Sequence, residues 1–180
     1  MADYTQALMD FGALQCTRSP DCAECPLAAI CGARRLGRVA DYPGKKPRKE
    51  RPVRHAAALF VFSGDALWLS RRPEEGLWGG LWMPFWRVSD EAFGDVPGVL
   101  AGLAQEAAAG RARIAASLTH DFSHFRLEIA SGWAEAGQSE PPAGFRAVKL
   151  AEIGSVGLPA PIARLCEAAL AARERVPSLF

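Results

Sequence analysis

Between Phe125 and Trp133 apolar and polar positions alternate: Phe125, Leu127, Ile129 and Trp133 fall on one side, Arg126 and Glu128 on the other. That period of two predicts a half-buried strand. Upstream, the apolar runs AALFVF and ALWLSRR flank Ser63-Gly64-Asp65, which predicts two strands joined by a hairpin turn. Residues 76 to 86, GLWGGLWMPFW, set tryptophans among glycines and a proline and read as close-packed loop and strand. Pro97 to Gly110 is rich in Ala and Leu and reads as a helix, and Phe145 to Leu150 as a further short strand. A last helix starts near Pro161, with Ile162, Leu165, Cys166, Ala169 and Leu170 on one face, which makes Cys166 a packed core thiol. Strands, a middle helix, more strands and a final helix describe an α+β or sandwich-like domain over residues 56–176.

The other end of the chain is different. Tyr4, Ala7, Leu8, Phe11 and Leu14 recur at helical spacing over residues 3–14, with Asp3 as N-cap and Gly12 helping the chain to turn afterwards. A helix this short is marginal in water without a surface to pack on. Residues 37–55, GRVADYPGKKPRKERPVRH, read as a linker kept extended by Pro43, Pro47 and Pro52.

Composition adds little until it is resolved along the chain. With 180 residues, 49% hydrophobic and 23% charged, the protein is ordinary for one good core with a small appendage. No apolar run is long enough to span a membrane, and the acidic N-terminus MADYTQALMDFG is neither a secretory signal nor a transit peptide. The formal net charge is +1, yet Gly32 to His55 holds nine bases against two acids. Such a dense local excess points to a phosphate backbone, the alternative being a solvated tether.

The four cysteines of CTRSPDCAECPLAAIC carry the clearest chemistry. Cys16, Cys22, Cys25 and Cys31 follow the spacing C-x5-C-x2-C-x5-C, interleaved with Pro20, Asp21 and Pro26. A short turning loop cannot bury four side chains, but it can wrap four thiolates around zinc or an iron–sulfur cluster. Two disulfides or four unrelated thiols are the alternative, disfavoured by the cytoplasmic location that this cysteine usage implies.

The segment Tyr4 to Leu14 leading into Cys16-Thr17-Arg18-Ser19 resembles the helix and cluster loop of adenine DNA glycosylases of the MutY type, in the helix-hairpin-helix superfamily. Tyr42-Pro43-Gly44-Lys45-Lys46-Pro47 is similar to that family's interdomain connector. Arg71-Arg72-Pro73, Gly76 to Trp82 and Pro84, then Thr119 to Leu127 and Gly157 to Pro161, look like its Nudix-like C-terminal domain. The resemblance implies three parts: residues 1–36 as the end of a glycosylase domain with its cluster loop, 37–55 as a basic linker, and 56–176 as a Nudix-like domain that recognises 8-oxoguanine. It implies a [4Fe–4S] cluster on Cys16, Cys22, Cys25 and Cys31, with zinc as runner-up; the family spacing is C-x6-C-x2-C-x5-C, one residue longer than here. It also implies a monomer working on double-stranded DNA with 8-oxoguanine:adenine mispairs. Arg18, Lys45, Lys46, Arg48 and Lys49 are then candidates for the DNA backbone.

A Nudix hydrolase holds magnesium through the acidic box G-x5-E-x7-R-E-x-x-E-E-x-G. The corresponding stretch here, VPGVLAGLAQEAAAGRARI, has Glu106 as its one carboxylate. One carboxylate is a poor base for a magnesium–phosphate site, so the domain reads as a recognition module, with pyrophosphohydrolysis or a zinc-stabilised adaptor as alternatives. In the family the loop matching Phe122-Ser123-His124 probes 8-oxoguanine. Ser123 Oγ can accept from the N7–H that oxidation creates and can also donate, with His124 hydrogen-bonding nearby or orienting the loop and Phe122 packing it. His55 and His120 are expected to be ordinary satisfied histidines. The family's adenine-excising residues lie upstream of the segment where the resemblance begins, so no catalytic residue is expected within this chain.

Overall fold

The computed structural model describes residues 2–42 and 50–176. The chain divides into two compact units, Met1–Glu50 and Arg51–Phe180.

The second unit is built on β1 (Val53–Ser63), whose residues 56–62 are all buried. Successive side chains of a strand point to opposite faces, and both faces are covered. Ala56, Ala58, Phe60 and Phe62 pack with Ile162, Leu165, Cys166 and Ala169 of α4 (Ala160–Glu174). Ala57, Leu59 and Val61 pack with Leu100, Leu103 and Ala104 of α3 (Val96–Glu106). The described residues thus form one mixed sheet with a helix on each face, an α+β architecture.

The sheet has seven strands among the described residues. β1 runs parallel to β6 (Arg126–Glu135) from Val53↔Arg126 to Phe62↔Glu135. β6 pairs antiparallel with the edge strand β5 (Arg113–Asp121). On its other side β1 pairs with β4 (Phe85–Ser89) from His55↔Ser89 to Leu59↔Phe85, and turns at Gly64 (φ 59°) into β2 (Ala66–Arg71). β2 carries β7 (Phe145–Lys149) and the short β3 (Trp82–Met83). In β6, Leu127, Ile129 and Trp133 are buried while Arg126 and Glu128 are exposed, as the alternation predicts.

Several expectations are corrected. Val53–His55 belong to the first strand, not to a linker. The middle helix begins at Val96, with Asp95 Oδ1 accepting from Gly98 N at 3.0 Å, and stops at Glu106. The alanines beyond it read as helical, but Ala108 turns left-handed (φ 49°). Its N–H bonds Gln105 O at 3.0 Å and the Ala109 N–H bonds Ala104 O at 2.9 Å, the Schellman closure. Gly110 N then donates to Glu135 O at 2.7 Å, which draws the chain onto the sheet. β5 had no clear period in the sequence because a bulge between Ile114 and Ala116 breaks it and Ile114 faces solvent. Leu150 ends β7 by opening a 3-10 turn, Leu150–Ser155.

In the first unit α1 spans Ala2–Gln15, so Asp3 lies in its first turn and is no N-cap. Tyr4, Leu8, Met9 and Leu14 are exposed on it. A single turn, α2 (Gly32–Arg35), follows the cysteine loop, then a 3-10 turn, Val39–Asp41. No helix among the described residues is long and apolar enough to cross a membrane.

Candidate nucleic-acid interface and cysteine loop

β5 and β6 are joined by the four-residue turn Phe122-Ser123-His124-Phe125, closed by Phe122 N donating to Phe125 O at 2.9 Å. At its base Asp121 faces Arg126 across the ladder, and Arg126 donates to both carboxylate oxygens, at 2.7 and 3.1 Å. Those hydrogen bonds hold the Asp121 carboxyl below its ordinary value, outweighing the opposing desolvation. Arg126 N also donates to Pro52 O at 2.9 Å, tying the turn to the start of β1.

Below the tip the turn is aromatic. Phe122 and Phe125 stack with centroids 4.4 Å apart, and Phe125 is buried. His120 meets Phe122 edge-on at 4.6 Å, and the Arg54 guanidinium lies 5.2 Å over the Phe125 ring while bonding Asp90 at 2.9 Å. Ser123 and His124 remain exposed at the tip, Ser123 Oγ 3.0 Å from His124 Nδ1. The three residues singled out from the sequence therefore meet in one turn, Phe122 as its packed base and Ser123 and His124 as its polar head. His55 pairs loosely with Glu128 at 3.5 Å. Sequence reasoning overlooked the Asp121–Arg126 clasp, although an acid and a base bracketing a four-residue hairpin turn are the opposite-charge cross-strand pair to look for.

In the first unit the loop leaving α1 is shaped by its own polar groups. Asp21 Oδ1 accepts from Ala23 N at 3.1 Å and Glu24 N at 3.3 Å, an Asx-type turn, while Gln15 Nε2 donates to Asp21 O at 2.7 Å. Cys16, Cys22, Cys25 and Cys31 are free thiols, and all four line one cavity of about 490 Å³ together with Gly12, Ala13 and Tyr42. Among the described residues, no three side chains of metal-ligand type converge where one ion could be held. Arg18 lines an adjoining open cavity with Cys16 and Cys22. Lys45, Lys46, Arg48 and Lys49 lie outside the described residues.

α3 bears on the hydrolase alternative. Its Glu106 carboxylate accepts from Arg87 Nη2, on β4. The one acid in the stretch that would carry the acidic box is thus already neutralised by a guanidinium.

Comparison with known proteins agrees with this architecture. Residues 56–168 match the family described as NUDIX domain. An adenine DNA glycosylase of Arabidopsis thaliana is 36% identical over 96 residues, covering 44% of this chain and 15% of that protein. Another, from Buchnera aphidicola, is 30% identical over 79 residues, covering 43% of this chain and 23% of that protein. The chain thus spans less than a quarter of the length of these relatives. Among solved structures, the C-terminal domain of mouse MUTYH, crystallised with human PCNA, superposes with a TM-score of 0.56 at 17% identity, over 71% of this chain and 94% of that one. A MutT protein from Methanosarcina mazei gives 0.53 at 15% identity, over 71% and 100%. By its matched segment and its sheet between two helices the chain belongs to the NUDIX domain family, and in sequence it resembles the adenine DNA glycosylases of the MutY type.

Proposed function

We propose that this chain is the lesion-recognition part of an adenine DNA glycosylase, reading 8-oxoguanine opposite adenine through the Phe122–Phe125 turn. The observation that carries the reading is the exposed Ser123–His124 head on a clasped, aromatic base. Guanine offers N7 as an acceptor in the major groove, whereas oxidation at C8 makes N7 an N–H donor. When His124 carries its proton on Nε2, Nδ1 accepts the Ser123 hydroxyl proton. Ser123 Oγ is then left with free lone pairs and no free hydrogen, so the hydroxyl can accept from the oxidised base and has no hydrogen of its own to donate to the ordinary one. Arg51, Arg54 and Arg126 near the turn, together with the basic stretch before it, suit the phosphate backbone.

The four-cysteine loop is proposed to hold a [4Fe–4S] cluster through Cys16, Cys22, Cys25 and Cys31. Four free thiols lining one cavity supply the four thiolates that such a cluster takes, with zinc the alternative on the same sulfurs. A bound cluster would cross-link the ends of the loop and fix the orientation of Arg18 toward a phosphate. Excision of adenine is assigned to no residue of this chain.

The test is binding of the purified chain to duplexes with 8-oxoguanine:adenine and guanine:adenine at fixed salt. A preference for the oxidised duplex that Ser123→Ala removes is expected; equal binding of both duplexes by the wild type would sink the reading. If six of the bases meet phosphates, the log–log salt slope is about −5. Adenine release by the chain alone would overturn the assignment of excision elsewhere, and zinc in place of iron and sulfide on metal analysis would overturn the cluster.

A further inference from the structure

We infer that Trp78 is the positioning residue of the Phe122–Phe125 turn, its ring holding Phe122 and through it the Ser123–His124 head. Trp78 sits at φ 56°, in the left-handed region. A bulky aromatic residue is an outlier there, and such a conformation persists only where its surroundings over-determine it. The loop around it does so. Gly80 N donates to Pro73 O at 3.0 Å, Arg71 Nε to Gly80 O at 2.9 Å and Arg71 Nη2 to Glu74 Oε1 at 2.9 Å. A Cβ on Gly79 would lie 2.0 Å from Glu74 O, so the backbone there packs too closely for any other residue.

What this anchored strain achieves is the placement of one ring. The Trp78 centroid lies 5.8 Å from Phe122, 6.3 Å from His120 and 5.7 Å from Trp86. All three are tilted contacts in the favourable range for aromatic pairs. Phe122 in turn stacks on Phe125. The β5–β6 turn has its own clasp in Asp121–Arg126, which grips the ends of the strands, and Phe122 meets Phe125 and His120 within the hairpin; Trp78 is the ring that reaches Phe122 from outside it. Trp78 is brought there by a loop more than forty residues earlier in the chain.

The structural core of this inference stands alone; its consequence for specificity depends on the turn reading the oxidised base, as proposed above. The test is nitrogen-15 relaxation of the Ser123 and His124 amides in the full chain, for the wild type and for Trp78→Ala, Trp78→Gly and Trp78→Phe. Both truncations are expected to lower the heteronuclear NOE at residues 123 and 124 while leaving β1 and β6 unchanged, and Trp78→Phe to restore most of it. The preference for 8-oxoguanine:adenine over guanine:adenine should fall about five-fold or more in the truncations, the low end of one base contact. Trp78→Gly also relieves the cost of the positive φ. If that variant keeps the turn ordered, the backbone and not the ring positions it, and the inference is overturned. Unchanged relaxation in Trp78→Ala overturns it equally. A wild type without preference for the oxidised duplex removes the base-reading proposal, while the relaxation data still decide the role of Trp78.

Discussion

Ser123 Oγ and His124 Nδ1 lie 3.0 Å apart at the tip of the β5–β6 turn, one hydrogen bond in which the hydroxyl donates when His124 carries its proton on Nε2. The two residues should therefore fail in opposite ways. Ser123→Ala removes the acceptor and should weaken binding to the 8-oxoguanine duplex by about 1–3 kcal/mol, with little change for the guanine duplex. His124→Ala frees the Ser123 hydroxyl hydrogen to donate to the N7 acceptor of guanine. Discrimination should then be lost through tighter binding of the undamaged duplex. Titration of both variants with both duplexes checks this; an equal loss for both duplexes in His124→Ala would mean that His124 contacts DNA itself.

Parts of this arrangement were legible in the sequence for local reasons. Leu127 and Ile129 alternate with Arg126 and Glu128 because the first half of β6 is buried on one face and exposed on the other, and the buried stripe of α4 follows helical spacing. Phe122, Ser123 and His124 were found by resemblance and by residue chemistry. The rest depended on contacts distant in sequence. The reach of Trp78 to Phe122 crosses the sheet's own connectivity, Ile114 faces solvent at a bulge, and Arg87 finds Glu106 only once β4 is in place. In the first unit the spacing of the cysteines is legible as a loop, and the four side chains line one cavity. Asp3 was misread as a cap because α1 begins one residue earlier.

The C-terminal closure of α3 yields a stability prediction. Ala108 takes the left-handed position of the Schellman motif, where glycine is the usual residue because it has no Cβ to strain. Ala108→Gly should stabilise the fold by about 0.5–1 kcal/mol, the relief of that strain less the extra chain entropy of glycine when unfolded. Denaturant unfolding monitored by tryptophan fluorescence reads the change, and a destabilised variant would show that the Ala108 Cβ makes compensating contacts.

The Arg87–Glu106 pair separates recognition from hydrolysis. Both side chains are about half exposed, so Glu106→Gln should change stability by no more than about 1 kcal/mol. It should leave DNA binding unaltered, since the partner of Glu106 is Arg87 of β4 and neither residue belongs to the turn. With magnesium and nucleoside triphosphates, neither the wild type nor Arg87→Ala should release pyrophosphate, because one freed carboxylate does not make a phosphate-bound magnesium site. Magnesium-dependent release that Glu106→Gln abolishes would restore the hydrolase alternative.

Cys166 sets a pH dependence of known sign. It is 2% exposed on α4, and burial foremost, with the Glu167 charge second, pushes its thiol from 9.0 up to about 11. Between those values the unfolded chain has released a proton that the folded one retains, so rising pH favours unfolding. The contribution is complete below pH 9.0 and is lost as pH rises toward about 11, by about 3 kcal/mol in all. Comparing wild type with Cys166→Ala cancels the other titrating groups: the stability advantage of the wild type should shrink steadily from pH 8.5 to about 10.5. Parallel curves would mean that the thiol ionises alike in both states. The same burial predicts that in metal-free, reduced protein a thiol reagent modifies four cysteines at once and the fifth only in denaturant. A fifth thiol reacting as fast as the others in the folded chain would place Cys166 at a mobile surface, which a helix face packed against Phe60 and Phe62 does not allow.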